Sequence, residues 1–221
     1  MEDVIVSWSG GKDSCLALYE LQQAGRHRAS ALLTTVTGDY DRISMHGVRR
    51  VLLERQAASL GLPLRQARIR RGAGNEEYER ATAEAFSEFR ARGVDTVVFG
   101  DLFLEDVRAY REQFLARLGM RGLYPVWGRD TGEFVRKFIA LGFRAVVTCV
   151  NPSALDGSFA GRLIDEDFLA ALPPGVDPCG ERGEFHSFVF DGPSFSEEVR
   201  CRVGETVLRD SFWFCDLVPA E

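Results

Sequence analysis

Residues 4–14 read Val4-Ile5-Val6-Ser7-Trp8-Ser9-Gly10-Gly11-Lys12-Asp13-Ser14, and a helical pattern follows until Gly25. An apolar β-rich run that passes through a glycine turn into a helix is how a doubly wound α/β sheet begins. Such sheets bind ligands outside the carboxyl ends of their strands. Glycine permits positive φ, so backbone N–H groups can close around an anion, and the helix points its positive end at the same place. Lys12 adds a compact charge, while Ser9 and Ser14 add hydroxyl donors. Ser9, Gly10, Gly11, Lys12, Asp13 and Ser14 are therefore expected to form a polyphosphate cradle. The spacing is neither that of a Walker loop nor that of a dinucleotide turn, so γ-phosphate transfer is not implied. A carboxylate beside bound phosphate is repulsive unless Asp13 faces away as a helix-start residue or shares a metal ion with the phosphate. Both readings stay open.

Outward from this turn, strand and helix alternate. Strands are expected at Val4 to Trp8, Ala29 to Thr35, Leu64 to Ile69 and Thr96 to Phe99. Helices are expected at Asp13 to Ala24, Val48 to Leu60 and Glu76 to Arg92. Strict alternation implies a parallel sheet covered on both faces. Two more helices, near Val107 to Leu118 and Thr131 to Leu141, lead to a buried strand at Phe143 to Val150. A Pro/Gly-rich loop from Pro173 to Gly183 precedes strands at Phe185 to Asp191, Glu198 to Arg209 and Ser211 to Val218, where antiparallel pairing is expected. A boundary near residue 120 divides the chain into a doubly wound α/β unit, 1–120, and a smaller α+β unit, 121–221.

The composition fits a globular chain: 221 residues, 45% hydrophobic and 27% charged, with a net charge of −6 that speaks against a dedicated nucleic-acid binder. Its 27 basic residues include only two lysines, Lys12 and Lys137. The five cysteines form no CxxC pair, so neither a zinc ribbon nor a disulfide framework is suggested. No apolar run reaches the ~18 residues of a membrane span and no basic leader is visible, so a soluble cytoplasmic chain is expected.

The Ser9 to Ser14 loop resembles the PP-loop of the ATP pyrophosphatases, which cleave ATP between the α and β phosphates. Four further stretches are Ser44-Met45-His46-Gly47-Val48-Arg49, Val98-Phe99-Gly100-Asp101, Pro125-Val126-Trp127 and Asp177-Pro178-Cys179-Gly180-Glu181-Arg182-Gly183-Glu184-Phe185-His186-Ser187, the last followed by Asp191-Gly192-Pro193. Together these resemble the diphthine–ammonia ligase (diphthamide synthase) family over nearly the whole chain. The resemblance implies an adenine nucleotide alpha hydrolase-like fold, ATP and Mg²⁺ as cofactors, and ammonia and a carboxylate acceptor as substrates. That acceptor is diphthine on elongation factor 2 or an unknown small molecule. In archaeal and eukaryotic ligases the last segment typically runs Gly-Glu-Tyr-Glu-Thr, whereas here it is Gly183-Glu184-Phe185-His186-Ser187. The same loop would also suit a pyrophosphatase acting on another acceptor, such as a tRNA in a thiolation-type reaction, or a non-catalytic ATP-binding module. A homo-oligomer is compatible with all three.

Within that frame Lys12, Glu181, Glu184 and His186 are the candidate catalytic residues. Lys12 would steady charge on departing pyrophosphate. Glu181 and Glu184 would converge on a cation or ammonium, unless they form only a solvated acidic turn. His186 would accept the proton that ammonia must lose. Adenine is expected near Ser7 and Leu33 to Thr35, with Leu33 and Thr34 as contacts. Gly100 and Asp101 follow a strand at its carboxyl end, so Asp101 is read as a Mg²⁺ or ribose contact or as a cap, and Asp13 and Asp101 form the candidate metal pair. His46 is read as a helix cap or a nucleotide contact. Trp127 is either a stacking platform or core, Lys137 is solvent-facing, and Cys179 lacks a partner thiol for nucleophilic chemistry.

Overall fold

The computed structural model describes residues 1–37, 42–43, 47–70, 72 and 74–220. His46, with Ser44 and Met45 before it, lies outside the described residues. The first sheet contains β1 (Glu2–Ser7), β2 (His27–Thr37), β3 (Arg42–Ile43), β4 (Leu64–Ile69), β5 (Thr96–Val98) and β6 (Arg121–Leu123). Five of these run parallel in the order β4-β2-β1-β5-β6, and β3 pairs antiparallel with the end of β2. The chain leaves β1 to build one side of the sheet and returns through β5 to build the other. Its topological switch point is therefore the crevice at the carboxyl ends of β1 and β5.

Strand β1 shows how the sequence sets up both layers. Val4 and Val6 point into one apolar cluster and Ile5 into the other, all three fully buried or nearly so. The helices α1 (Lys12–Ala24) and α2 (Arg50–Ser59) pack into the first cluster, α3 (Asn75–Arg90) and α4 (Glu105–Arg117) into the second. α1 ends where Gly25 turns left-handed at φ 63°, as the sequence pattern requires.

Beyond α5 (Thr131–Ala140), a second sheet is fully antiparallel in the order β8-β7-β10-β9. Its strands are β7 (Arg144–Val150), β8 (Phe185–Asp191), β9 (Cys201–Arg209) and β10 (Phe212–Pro219), with the short α6 (Glu166–Ala171) between β7 and β8. This sheet shares the first apolar cluster, which runs without a break from Val4 through Phe138 and Phe188 to Leu217.

Two differences from the sequence reading have simple causes. β6 was not foreseen, because three residues with a central glycine carry no period; it extends the first sheet to Leu123. The strand expected from Glu198 begins at Cys201, since the preceding residues cross from β8 by way of the Val199 to Phe190 backbone bond.

The second sheet also props up the first turn. The Val189 N–H of β8 donates to the Gly10 carbonyl at 2.9 Å, and the Lys12 N–H donates to Ser187 Oγ at 3.2 Å. Arg49, at the start of α2, makes a two-pronged bond to Asp216 of β10 at 3.0 and 2.6 Å.

Candidate active site

Of the two loop glycines, only Gly10 takes positive φ, at 77°; Gly11 is extended and serves as the N-cap of α1. A Cβ at position 10 would sit 2.9 Å from Gln56 Oε1, so glycine is required there for both conformation and space. Gly11 has no side chain to cap α1, and although Ser187 Oγ takes the Lys12 N–H, the first-turn residues Lys12, Asp13 and Ser14 line the cleft, which turns the helix end toward an anion there. Ser9 and Ser14 hydroxyls lie 3.1 Å apart, and Ser14 Oγ also donates to the Gly11 carbonyl. Gly100 has a different reason to be glycine. A Cβ there would lie 2.7 Å from the Asp13 carbonyl carbon, so the end of β5 can meet the first turn of α1 only without a side chain.

Gln56 holds this turn from behind. It is fully buried, accepts from the Trp8 indole at 2.7 Å, and donates to the carbonyls of Gly10 at 3.0 Å and Val189 at 2.6 Å. In the sequence it looked like one more polar position on an amphipathic helix, and nothing local marked it out.

The turn opens onto a cleft of about 590 Å³, within the range that takes small ligands. Ser7, Leu33, Thr34 and Thr35 line it from β1 and β2; Gly100 and Asp101 line it from the end of β5. From the second sheet and the loop before it come Glu181, His186 and Ser187. Expected residues of both halves thus meet at one cavity.

Charge in the cleft is unbalanced. Lys12 Nζ is buried and lies 2.9 Å from Asp13; burial opposes its charge most strongly, but Asp13, with Cys179 and Glu181 behind it, holds its pKa above the ordinary value. Burial raises the Asp13 carboxyl. Burial likewise raises Asp101, with Arg111 opposing and Asp13 reinforcing. Glu181 is pushed up to about 7 by burial first and Asp13 second, although its Oε1 accepts from the Leu102 N–H at 2.8 Å. Three carboxylates thus face Lys12 and Arg111. Asp101 Oδ2 is buried without a hydrogen-bond partner among the described residues, and Asp13 Oδ1 is buried with the Lys12 ammonium 2.9 Å away. One orphaned hard oxygen beside a second carboxylate suits Mg²⁺, which is commonly held by one or two carboxylates plus substrate phosphates.

The matches to known proteins fall on both halves of this cleft. The diphthamide synthase N-terminal domain matches residues 2–122 and the diphthamide synthase C-terminal domain matches residues 130–218. The chain belongs to the diphthamide synthase family. Among curated relatives, a "Diphthine--ammonia ligase" of Danio rerio is 27% identical over 90% of this chain and 86% of its own length. One of Homo sapiens is 24% identical over 92% and 84%. Among solved structures, a predicted subunit of tRNA methyltransferase from Methanocaldococcus jannaschii aligns with TM-score 0.44 at 18% identity, over 65% of this chain and 77% of that one. The curated relatives carry the name of a ligase, so the diphthamide synthase family is one of enzymes.

One candidate of this diphthamide synthase family member needs correcting. Glu184 does not line the cleft: its carboxylate is turned under its own loop, where Oε1 accepts from Asp177 N–H at 3.1 Å and Oε2 from Arg182 N–H at 3.0 Å. Its role there is to hold the turn that presents Glu181. Cys179 is buried, its Sγ donates to the Thr131 carbonyl at 3.1 Å, and burial raises its thiol pKa, which fits an inert side chain. Trp127 packs edge-on against Tyr124 with Arg108 over its ring, outside the cleft, and Lys137 pairs with Glu20. Arg111 and Tyr78, from α4 and α3, line the cleft and were not foreseen, because each reads as an ordinary position on an amphipathic helix.

Proposed function

We propose that this chain is an ATP-dependent amide ligase that forms AMP and pyrophosphate, activating a carboxylate and passing it to ammonia. The observation that carries this reading is the meeting, in one cleft, of Lys12 on the glycine turn with Glu181 and His186 of the C-terminal half, in a chain matched by both halves of the diphthamide synthase family. In the first step an acceptor carboxylate oxygen attacks the α-phosphorus of ATP; the bond to the β-phosphate oxygen breaks, and pyrophosphate leaves with its electron pair. Lys12 and the open end of α1 lie where that negative charge grows, and preorganised charge of this kind usually contributes most to the acceleration of such transfers. In the second step the nitrogen of ammonia attacks the acyl carbon and AMP departs. Glu181 draws ammonium into the cleft and takes the proton whose loss frees ammonia, and His186 takes the second proton, lost as the nitrogen bonds to the acyl carbon.

Asp13 and Asp101 would hold Mg²⁺, which neutralises phosphate charge that the three carboxylates would otherwise repel. Thr34 supports the placement of adenine: its Oγ1 is buried, lines the cleft and has no hydrogen-bond partner among the described residues. On this reading residues 1–120 carry the nucleotide and residues 121–221 close the site and face the acceptor. By family, diphthine is the first acceptor to try. A thiolating activity draws no support from Cys179, whose thiol is buried and hydrogen-bonded.

Incubation with α-labelled ATP, ammonium, Mg²⁺ and diphthine-bearing elongation factor 2 or small carboxylic acids tests the proposal. AMP and pyrophosphate are expected in equal amounts. ADP as the sole labelled product overturns it.

A further inference from the structure

Beyond the glycine turn the cleft continues between α3 and α4, where its walls change character. Tyr78 and Phe86 of α3 face Tyr110 and Phe114 of α4, and Phe99 lies at the end of β5. Phe86 and Phe114 have ring centroids 6.2 Å apart. Beside these rings stands Arg111, its guanidinium 4.4 Å from the Phe99 ring centroid and 3.1 Å from Asp101 Oδ1.

Among the described residues lining the cleft, Lys12 and Arg111 are the only Lys or Arg side chains. Lys12 belongs to the glycine turn, being buried and held by Asp13. That leaves Arg111 as the one guanidinium within reach of a second anion, and its planar fork matches a carboxylate. Stacking on Phe99 restricts its rotamers, so less freedom is lost when it is engaged. An aromatic chamber with one guanidinium beside it, and with the Tyr78 and Tyr110 hydroxyls and Thr82 in its lining, suits an acid with a flat, largely apolar body.

We propose that this α3–α4 chamber binds the acceptor, a carboxylic acid on a flat apolar or aromatic stem, and that Arg111 pairs with its carboxylate and aims it at the nucleotide. This rests on the ligase reading for its purpose, but the chamber can be tested without turnover.

The probes are 3-phenylpropionate and 3-(imidazol-4-yl)propionate, with the corresponding primary amides as uncharged controls. Binding is followed by saturation-transfer NMR and calorimetry on the full chain, saturated with Mg²⁺ and α,β-methylene-ATP. At least one acid is expected to bind together with the nucleotide, and its amide at least tenfold more weakly. Arg111→Met, compared with the parent at saturating nucleotide, should lose at least tenfold of the acid affinity, and Arg111→Lys should recover part of the loss.

Displacement of the acid by the nucleotide, equal binding of acid and amide, or binding by neither acid overturns the proposal. So does undiminished acid binding in a folded Arg111→Met protein. If that variant does not fold, the acid and amide comparison on the parent chain decides. A chain that binds the acid beside nucleotide but never forms AMP refutes the ligase reading alone. One that forms AMP while binding no such acid refutes the chamber alone.

Discussion

The side-chain nitrogen of Gln56 donates to the Gly10 carbonyl at 3.0 Å, joining the middle of α2 to the glycine turn 46 residues earlier in the chain. The same amide links the Trp8 indole and the Val189 carbonyl, so one buried group ties β1, the turn and β8 together. Gln56→Leu leaves a buried indole N–H and at least one buried carbonyl without a partner. Such a group costs about 1–3 kcal/mol, so a loss on the order of 2–5 kcal/mol is expected. Urea denaturation should show it, and ATP affinity, read by titration at a temperature where the variant is folded, should fall at least tenfold. Unchanged affinity in a folded variant would mean that the turn keeps its shape without Gln56.

The two lysines of the chain occupy opposite environments. Lys12 is 2% exposed and sits between Asp13 and the Phe185 ring, with its ammonium 5.5 Å from the ring centroid. Lys137 is an exposed partner of Glu20. A guanidinium carries the same charge as Lys12 but is broader and planar, so it cannot keep the point-like placement between the ring and the carboxylate and must shift one of them or swing further into the cleft. Lys12→Arg should therefore lose at least 100-fold in kcat, while Lys137→Arg stays within twofold of the parent. Equal rates in the two variants would show that only the charge at position 12 matters.

Much of this site is written in local sequence, because a glycine turn between an apolar strand and a helix has few other uses. The β4 and β8 boundaries also agree with the pattern, Leu64–Ile69 and Phe185–Asp191, since Gly61 and Pro63 mark the start of the first and Gly183 and Gly192-Pro193 bracket the second. What stayed hidden depends on the far side of a contact. Gln56 and Arg111 look like surface positions of their helices, and only packing against Trp8, β8 and Phe99 shows otherwise. Glu181 and Glu184 looked equivalent for a related reason: two acids three residues apart in a turn differ only in which backbone N–H groups the turn brings to them.

That difference separates their variants. Glu184 accepts two backbone hydrogen bonds, from Asp177 and Arg182, inside the loop that carries Glu181. Glu184→Ala removes both acceptors and should cost about 2–4 kcal/mol of stability. Assayed well below its melting temperature, it should keep kcat within about tenfold of the parent, because no reacting atom touches it. A collapse of kcat in the folded protein, to the level of Glu181→Gln, would return Glu184 to the chemistry.

Glu181 should reveal itself through pH. Burial, with Asp13 behind it, raises its carboxyl from the ordinary 4.5 to about 7 in the folded chain. Between those values the folded state holds a proton that the unfolded state has released, so stability falls as pH rises through this window and levels off above about 7. The displacement corresponds to at most about 3 kcal/mol, which solvent at the cleft reduces to on the order of 1–2 kcal/mol. Glu181→Gln imitates the protonated form at every pH. Without nucleotide or metal it should match the parent near pH 4 and exceed it by that amount at pH 8, while losing at least 100-fold in AMP formation. Denaturant titrations across the range check the first part and the labelled ATP assay the second. A variant no more stable than its parent at pH 8 would mean that Glu181 is ionised at no cost in the folded chain and is not held in reserve for ammonium.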